Sequence, residues 1–107
     1  MQNITFALIP GAGGSAWYWH LVERELRHHD HETVAVALPA ADHAAGLPDY
    51  AAAVVRAVGE SNPRPLVLVA QSLGGFTAPL VYEQIAVSLL VLINAMIPKP
   101  GETPGSW

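Results

Sequence analysis

The sequence predicts an α/β fold: a mainly parallel, four-stranded sheet in the order 2-1-3-4, with helices on both faces. Four short runs of aliphatic and β-branched residues are separated by segments in which apolar residues repeat at helical spacing. This alternation of strand and helix is typical of parallel strands joined by right-handed crossovers. The 107 residues contain no visible repeat or second domain and are enough for one modest core.

The predicted strands are residues 4–9 (ITFALI), 33–38 (TVAVAL), 65–70 (PLVLVA) and 88–93 (SLLVLI). The last two are almost continuously aliphatic, which is the pattern of central strands covered on both faces. Two segments are predicted to be irregular: the alanine-rich loop 39–48 and the proline- and glycine-containing stretch 94–107.

Three helices are predicted: residues 16–29, residues 49–58 and a segment that begins at about Leu73. The apolar residues expected to share a face within each helix are Tyr18, Trp19, Val22 and Leu26; then Tyr50, Val54, Ala57 and Val58; then Leu73, Phe76 and Leu80. Pro79 lies inside the third helix and is expected to kink it or to end its regular hydrogen bonding early.

The composition excludes several classes of protein. Apolar residues make up 51% of the chain, charged residues 13%, and the net charge is −4 without a basic cluster, so nucleic acid and anionic membranes are not expected as partners. The chain has no cysteine, which rules out disulfides and thiolate metal sites. The first residues do not form a signal-peptide pattern, and no apolar run reaches the ~20 residues of a membrane span. We therefore expect a soluble, cytoplasmic protein.

The stretch 69–76 (VAQSLGGF) places Ser72 between the third strand and the third helix. Small residues around it, Ala70, Gly74 and Gly75, allow strand and helix to approach closely through a sharp turn. Such a turn points the serine Oγ out at the carboxyl end of the sheet, where the N–H of Leu73 faces any oxyanion that forms. The simpler alternative is that Ser72 only caps the helix.

A second turn, residues 10–17 (PGAGGSAW), follows the first strand. The first and third strands can be neighbours in a parallel sheet, so both turns would lie at the same edge. The glycine-rich turn would then supply a second N–H to the oxyanion.

Together these features resemble the α/β-hydrolase family, in particular its esterase and hydroxynitrile-lyase-like branch. PGAGGSAWYW is similar to the family's His-Gly loop, LVLVAQSLGGF to its nucleophile turn, and LLVLINAMIPKPGETPGSW to the strand and loop that lead toward the lid. The resemblance covers essentially the whole chain, with residues 1–107 as the N-terminal part of a single hydrolase domain.

The resemblance implies hydrolysis of a small carboxylic ester, or a related acyl substrate, through a seryl acyl-enzyme and without a metal or organic cofactor. By the same resemblance, Ser72 is the nucleophile and the N–H groups of Ala12 and Leu73 form the oxyanion hole. Pro10 and Gln71 stand where histidine is common in the family. Pro10 is expected to remove a side chain that supports the site without changing the chemistry, and Gln71 is expected to be neutral. Cyanohydrin cleavage occurs on the same scaffold and is an alternative reaction.

In this family a catalytic acid and then a histidine follow the serine along the chain, and no histidine and no aspartate follow Ser72 in this sequence. The five histidines all precede Ser72: His20, His28, His29, His31 and His43. Only His43 is expected at the correct edge of the sheet, and only Glu83 and Glu102 follow Ser72 as acids. We therefore expect an inactive N-terminal piece of a longer hydrolase, whose strand 88–93 has an unpaired edge. A non-catalytic binding module is the alternative function.

Two further patterns have simpler interpretations. Residues 28–31 (HHDH) have the composition of a metal site, but adjacent helical residues face different ways, so a solvated helix end is favoured. Residues 11–16 match a dinucleotide-binding pattern, but the second strand ends without an acid for the ribose, and three aromatic residues crowd the turn. Of these aromatics, Trp17 and Trp19 are interpreted as core residues rather than as a pocket wall.

Overall fold

The computed structural model describes residues 3–59 and 65–103 and contains a four-stranded parallel sheet. Its strands are β1 (Thr5–Ile9), β2 (Glu32–Ala35), β3 (Leu66–Gln71) and β4 (Leu89–Ile93), in the order β2-β1-β3-β4. The register pairs Ile9 with Ala70 and Gln71 with Ile93. The predicted fold class and strand order are confirmed. The predicted irregular segment 94–107 is described only as far as residue 103.

The helices are α1 (His20–His28), α2 (Leu47–Val58) and α3 (Gly74–Gln84), and a 3₁₀ turn (Ala16–Trp19) precedes α1. The first helix was predicted to be continuous, but its opening turn is wound more tightly. The second helix begins two residues before its predicted start, within the predicted loop 39–48. Its first turn is held by the Gly46 N–H, which donates to the Asp49 carboxylate at 2.8 Å.

Pro79 does not end the third helix, which continues for five residues to Gln84. The missing N–H of Pro79 would have bonded to the carbonyl of Gly75, in the first turn of α3, so a single hydrogen bond is lost. The proline is exposed, while Ala78 and Val81 beside it are buried against the sheet. Their burial stabilises the rest of α3, and the prediction of an early end is wrong.

β2 ends three residues earlier than predicted because the chain leaves the sheet edge to meet the glycine-rich turn. After Ala35, the Val36 N–H still donates to the Leu8 carbonyl at 3.1 Å, but the Leu38 N–H donates to the Gly14 carbonyl at 2.9 Å. The predicted strand 33–38 is therefore split between the sheet and a contact with the first loop.

β4 was predicted to be covered on both faces, and this is wrong. It lies at the edge of the sheet, and three of its five residues are exposed: Leu89, Leu92 and Ile93. By contrast, β3 has neighbours on both sides, and its first five residues are buried. The two strands have similar composition, so the difference comes from their positions in the sheet.

The core has two layers, one on each face of the sheet. On one face α2 and α3 pack over side chains from β1 and β3, including Ile9, Leu68 and Ala70. On the other face Leu8, Val67 and Val69 pack with Trp19, and Leu26 of α1 covers them. The prediction of helices on both faces is confirmed. No helix within the described residues is long and apolar enough to cross a bilayer.

The buried faces of the helices were predicted only in part. Trp19 is 2% exposed, whereas Trp17 is 71% exposed, so only one of the two tryptophans is a core residue. Tyr18 and Val22 also lie largely in solvent. Trp17, Tyr18 and Trp19 lie in the 3₁₀ turn, which has about three residues per turn, so α-helical spacing does not relate their positions to that of Val22 in α1.

In the other two helices the predicted faces are closer to the structure. Val54, Val58 and Phe76 are buried as expected. Tyr50, Leu73 and Leu80 are half-buried. Ala57 is exposed, and Ala51 takes its place in the core, because the buried stripe of α2 is rotated toward Ala51.

His31 has a structural role that the sequence did not predict. Its Nδ1 accepts the N–H of Ile4 at 3.1 Å, and its ring lies edge-on against Phe6 with centroids 5.4 Å apart. His28 and His29 are exposed at the end of α1, as predicted. His31 therefore anchors the amino-terminal end of β1 and is not part of a solvated helix end.

Removing the His31 side chain should destabilise the fold by leaving the Ile4 N–H without its acceptor. We expect His31→Ala to lower the free energy of unfolding by about 1–2 kcal/mol, and His31→Asn, which keeps an acceptor, to lower it less. Urea denaturation measures both, with the exposed His28→Ala as control. Equal losses in the Ala and Asn variants would contradict a hydrogen-bonding role.

Candidate active site

Ser72 lies directly after β3 and before α3, in a left-handed backbone conformation with φ of 54°. A residue other than glycine rarely adopts this conformation, which costs about 1–2 kcal/mol. The side chain is half-buried at the carboxyl end of the sheet. Ser72 does not cap the helix: α3 has Leu73 at its N-cap position, and no side chain makes a capping hydrogen bond there.

The glycine-rich turn lies against the serine turn, as predicted. β1 and β3 are adjacent in the sheet, so both turns leave it at the same edge. A Cβ placed on Gly11 would be 2.8 Å from Gln71 Oε1 and 3.0 Å from the Ser72 Cβ. A larger residue at position 11 would separate the two turns.

The start of α3 is equally close to β1. A Cβ on Gly74 would be 3.1 Å from the carbonyl oxygens of both Ile9 and Pro10. The glycine therefore allows α3 to begin directly above the end of β1.

The amides of Ala12 and Leu73 are the candidate oxyanion donors. Within the described ranges, neither N–H donates to a protein acceptor. The loop around Ala12 is closed by the Gly14 N–H, which donates to the Gly11 carbonyl at 3.1 Å. Unpaired backbone N–H groups of this kind can stabilise negative charge that develops on a bound carbonyl oxygen.

The segment after β4 also contacts Ser72, and sequence reasoning missed this contact. The Ser72 N–H donates to the Ile93 carbonyl at 3.3 Å as the last hydrogen bond of the β3–β4 ladder. Beyond the ladder, the Met96 N–H donates to the Ser72 carbonyl at 2.9 Å. Between them, Asn94 has a φ of 46°. The signal available in the sequence was an asparagine directly after a strand, since asparagine is among the residues that tolerate this conformation best.

No histidine in the described part of the chain hydrogen-bonds the Ser72 hydroxyl. His43 is exposed in the loop between β2 and α2. His20 directs Nδ1 to the carbonyl of Trp17 at 2.7 Å and stacks on its ring at 3.7 Å. The described residues thus bring the candidate nucleophile and the candidate oxyanion donors to one edge of the sheet, and none of their histidines hydrogen-bonds the Ser72 hydroxyl.

A groove of about 690 Å³ lies beyond β2, lined by Leu38, Asp49 and Arg56 among others, and does not include Ser72. Within the described ranges, no three metal-binding side chains converge, the residues of the HHDH stretch included. In the glycine-rich turn, which resembled a dinucleotide-binding pattern, the Gly14 N–H donates to the Gly11 carbonyl and the Gly14 carbonyl accepts the Leu38 N–H.

A sequence profile described as the alpha/beta hydrolase family matches residues 6–107. The chain belongs to the α/β-hydrolase family. It is 28% identical over 109 residues to norfluorocurarine synthase 1 from Strychnos nux-vomica, covering 92% of this chain and 41% of that protein. It is 30% identical to methyl jasmonate esterase 1 from Vitis vinifera, covering 89% of this chain and 40% of the esterase.

The fold of this α/β-hydrolase chain is also similar to solved structures. It superposes on crystalline polyneuridine aldehyde esterase with a TM-score of 0.79 and 26% identity, covering 95% of this chain and 44% of that chain. The chain therefore spans about two fifths of the length of the curated relatives it matches.

Replacing Gly75 should disrupt the packing of this hydrolase chain around the serine turn. A Cβ there would overlap the Met96 carbonyl, so we expect Gly75→Ala to lower the free energy of unfolding by about 3 kcal/mol. Chemical denaturation gives the value. The control is Gly46→Ala, where the nearest atom is 3.6 Å from the new Cβ and the expected loss is at most about 1 kcal/mol. Similar losses at both positions would show that the close approach to Met96 is not tight.

The strained backbone of Ser72 predicts a gain in stability when the strain is removed. Glycine adopts positive φ freely, so Ser72→Gly should raise the free energy of unfolding by about 1 kcal/mol, whereas Ser72→Ala should leave it nearly unchanged. Asp30→Gly is a matched control, because Asp30 has a φ of 63° far from the site. A lower stability for Ser72→Gly in denaturation experiments would refute the strained conformation.

Proposed function

We propose that this chain carries the nucleophile and oxyanion hole of a serine hydrolase that acts on a small carboxylic ester or a related acyl substrate. The observation that carries the proposal is the left-handed Ser72 at the carboxyl end of β3, in contact with the Gly11 turn. Family membership supports it, and so do the names of two relatives, a methyl jasmonate esterase and a polyneuridine aldehyde esterase.

The proposed reaction begins with attack of Ser72 Oγ on the ester carbonyl carbon. The hydroxyl proton passes to a general base, and the carbonyl π electrons move onto oxygen to give a tetrahedral oxyanion. Collapse of this intermediate breaks the bond to the alkoxy oxygen, which leaves as the alcohol after receiving the proton. Water then attacks the acyl-serine ester by the same steps and releases the carboxylic acid.

The N–H groups of Ala12 and Leu73 hold the oxyanion in this proposal. Both are backbone donors fixed by the fold, one in the first turn and one at the start of α3, so they need no rearrangement when charge develops. The loss of one such donor in a hydrolase reduces kcat by about 100- to 1,000-fold.

The general base and its acid are proposed to come from outside these 107 residues. No histidine follows Ser72 in the sequence, and the described histidines do not hydrogen-bond its hydroxyl. A serine hydroxyl without a base is a weak nucleophile, so the chain by itself should hydrolyse esters very slowly.

Phosphonylation and ester turnover test both parts of the proposal. A fluorophosphonate should label the chain slowly at pH 9, with mapping of the modified peptide placing the label on Ser72. Labelling should disappear in Ser72→Ala and persist in Ser88→Ala, a control at an exposed serine. Turnover of p-nitrophenyl acetate should be at least about 1,000-fold below that of a complete serine hydrolase.

Three results would change this conclusion. Efficient, Ser72-dependent turnover by the 107 residues would show that they already contain a base. Labelling at other serines at the same rate would remove the case for a special nucleophile. A folded chain that is never labelled at Ser72 would favour a non-catalytic binding module.

A further inference from the structure

The last residue of β4 and the segment that follows it bond to the two peptide groups of Ser72. The Ser72 N–H donates to the Ile93 carbonyl at 3.3 Å, and the Ser72 carbonyl accepts the Met96 N–H at 2.9 Å. We call residues 93–96 the β4 clamp. The first bond is the last hydrogen bond of the β3–β4 ladder, because Gln71 pairs with Ile93, whereas the bond from the Met96 N–H lies beyond the paired residues.

The carbonyl of Ser72 is held by two donors. Besides the Met96 N–H it accepts the N–H of Gly75, in the first turn of α3, at 3.1 Å. A carbonyl oxygen has two lone pairs, and here both are used. Because the peptide unit is planar, the direction of the Ser72 carbonyl also fixes the direction of the Leu73 N–H, which points the opposite way. The β4 clamp therefore controls the aim of one proposed oxyanion donor.

The clamp closes because Asn94 turns the chain with a φ of 46°. An extended residue at this position would carry the chain onward along the strand direction and away from Ser72. Asparagine accepts the left-handed conformation more readily than most residues, whereas β-branched residues resist it. Ser72 and Asn94 thus share the same unusual conformation at the ends of adjacent strands.

The start of α3 has space for the clamp only because residue 75 is glycine. A Cβ on Gly75 would overlap the Met96 carbonyl and lie 3.2 Å from the Ala95 Cβ. The hydrogen bonds to Ser72, the left-handed conformation of Asn94 and the close packing against Gly75 therefore all involve the β4 clamp.

We propose that Asn94 is a positioning residue of the proposed active site: its left-handed backbone brings the Met96 N–H onto the Ser72 carbonyl, which orients Ser72 and aims the Leu73 N–H. This inference rests on the proposed role of Ser72 as nucleophile. The Asn94 side chain itself is exposed, so the role belongs to its backbone conformation.

Substitutions that permit or oppose positive φ separate this role from a side-chain role. Asn94→Gly and Asn94→Asp should preserve the clamp, whereas Asn94→Ala should weaken it and Asn94→Val should open it. The same set at Asp30, with its φ of 63° at the opposite end of the sheet, is the control for a general loss of stability. Asn94→Ala keeps the test decisive if Asn94→Val does not fold.

Two readouts are measured on each variant. Amide hydrogen exchange at Met96 reports clamp opening, and we expect it to accelerate about 10-fold or more in Asn94→Val and to stay within about 2-fold in Asn94→Gly. Fluorophosphonate labelling of Ser72 at pH 9 should slow by about 10-fold in Asn94→Val and recover in Asn94→Gly, because the Leu73 N–H is misdirected only in the former. The Asp30 variants should change neither readout selectively.

The two readouts distinguish failure of this inference from failure of the proposed function. Unchanged Met96 exchange in Asn94→Val, or an equal effect of Asp30→Val, overturns the positioning role. Changed exchange with unchanged labelling of Ser72 also overturns it, since the clamp would then not affect the nucleophile. If Ser72 of the unsubstituted chain is not labelled, the nucleophile assignment fails and the inference fails with it, while the exchange data still decide whether Asn94 closes the clamp.

Discussion

The left-handed backbone of Ser72 is the constraint on which the rest of the proposed site depends. Three of the four strands contribute to it: β3 leads into it, the turn after β1 lies against it, and the end of β4 and the segment after it bond to its N–H and its carbonyl. A strained conformation persists only where its surroundings determine it from several directions. None of these contacts uses the serine hydroxyl, so the strained conformation is maintained without engaging the group that is proposed to react.

Three glycines allow the segments around Ser72 to pack closely, and each glycine contacts a different segment. Gly11 allows the first turn to reach the side chain of Gln71, Gly74 allows α3 to approach the end of β1, and Gly75 allows the segment after β4 to approach α3. The glycines in the two turns thus indicate separate long-range contacts as well as sharp local turns. This explains why the pattern is informative about the site, although it says nothing about the proton acceptor.

The sequence was sufficient for the order of the strands and the placement of both turns, because strand–helix alternation restricts the topology to few choices. It was insufficient where backbone groups far apart in the chain meet. β2 ends early because the Leu38 N–H bonds to the Gly14 carbonyl, and the segment after β4 is fixed by the bond from the Met96 N–H to the Ser72 carbonyl. Neither contact has a periodic signature. Trp17 was misplaced for a related reason, since a 3₁₀ turn changes the spacing from which burial was predicted.

The two departures from the family's usual residues are compatible with the geometry because the proposed oxyanion hole is built from backbone groups. Pro10 is buried, and its carbonyl lies beside Gly74, a contact that does not require a particular side chain. Gln71 places Oε1 against Gly11 and so fills the space between the two turns. The N–H groups of Ala12 and Leu73 depend on the path of the chain, and that path is set by the glycines and by the clamp after β4. The side chains at positions 10 and 71 can therefore differ without moving the proposed oxyanion donors. A change in the backbone conformation of Ser72 or Asn94, by contrast, would move the Leu73 N–H.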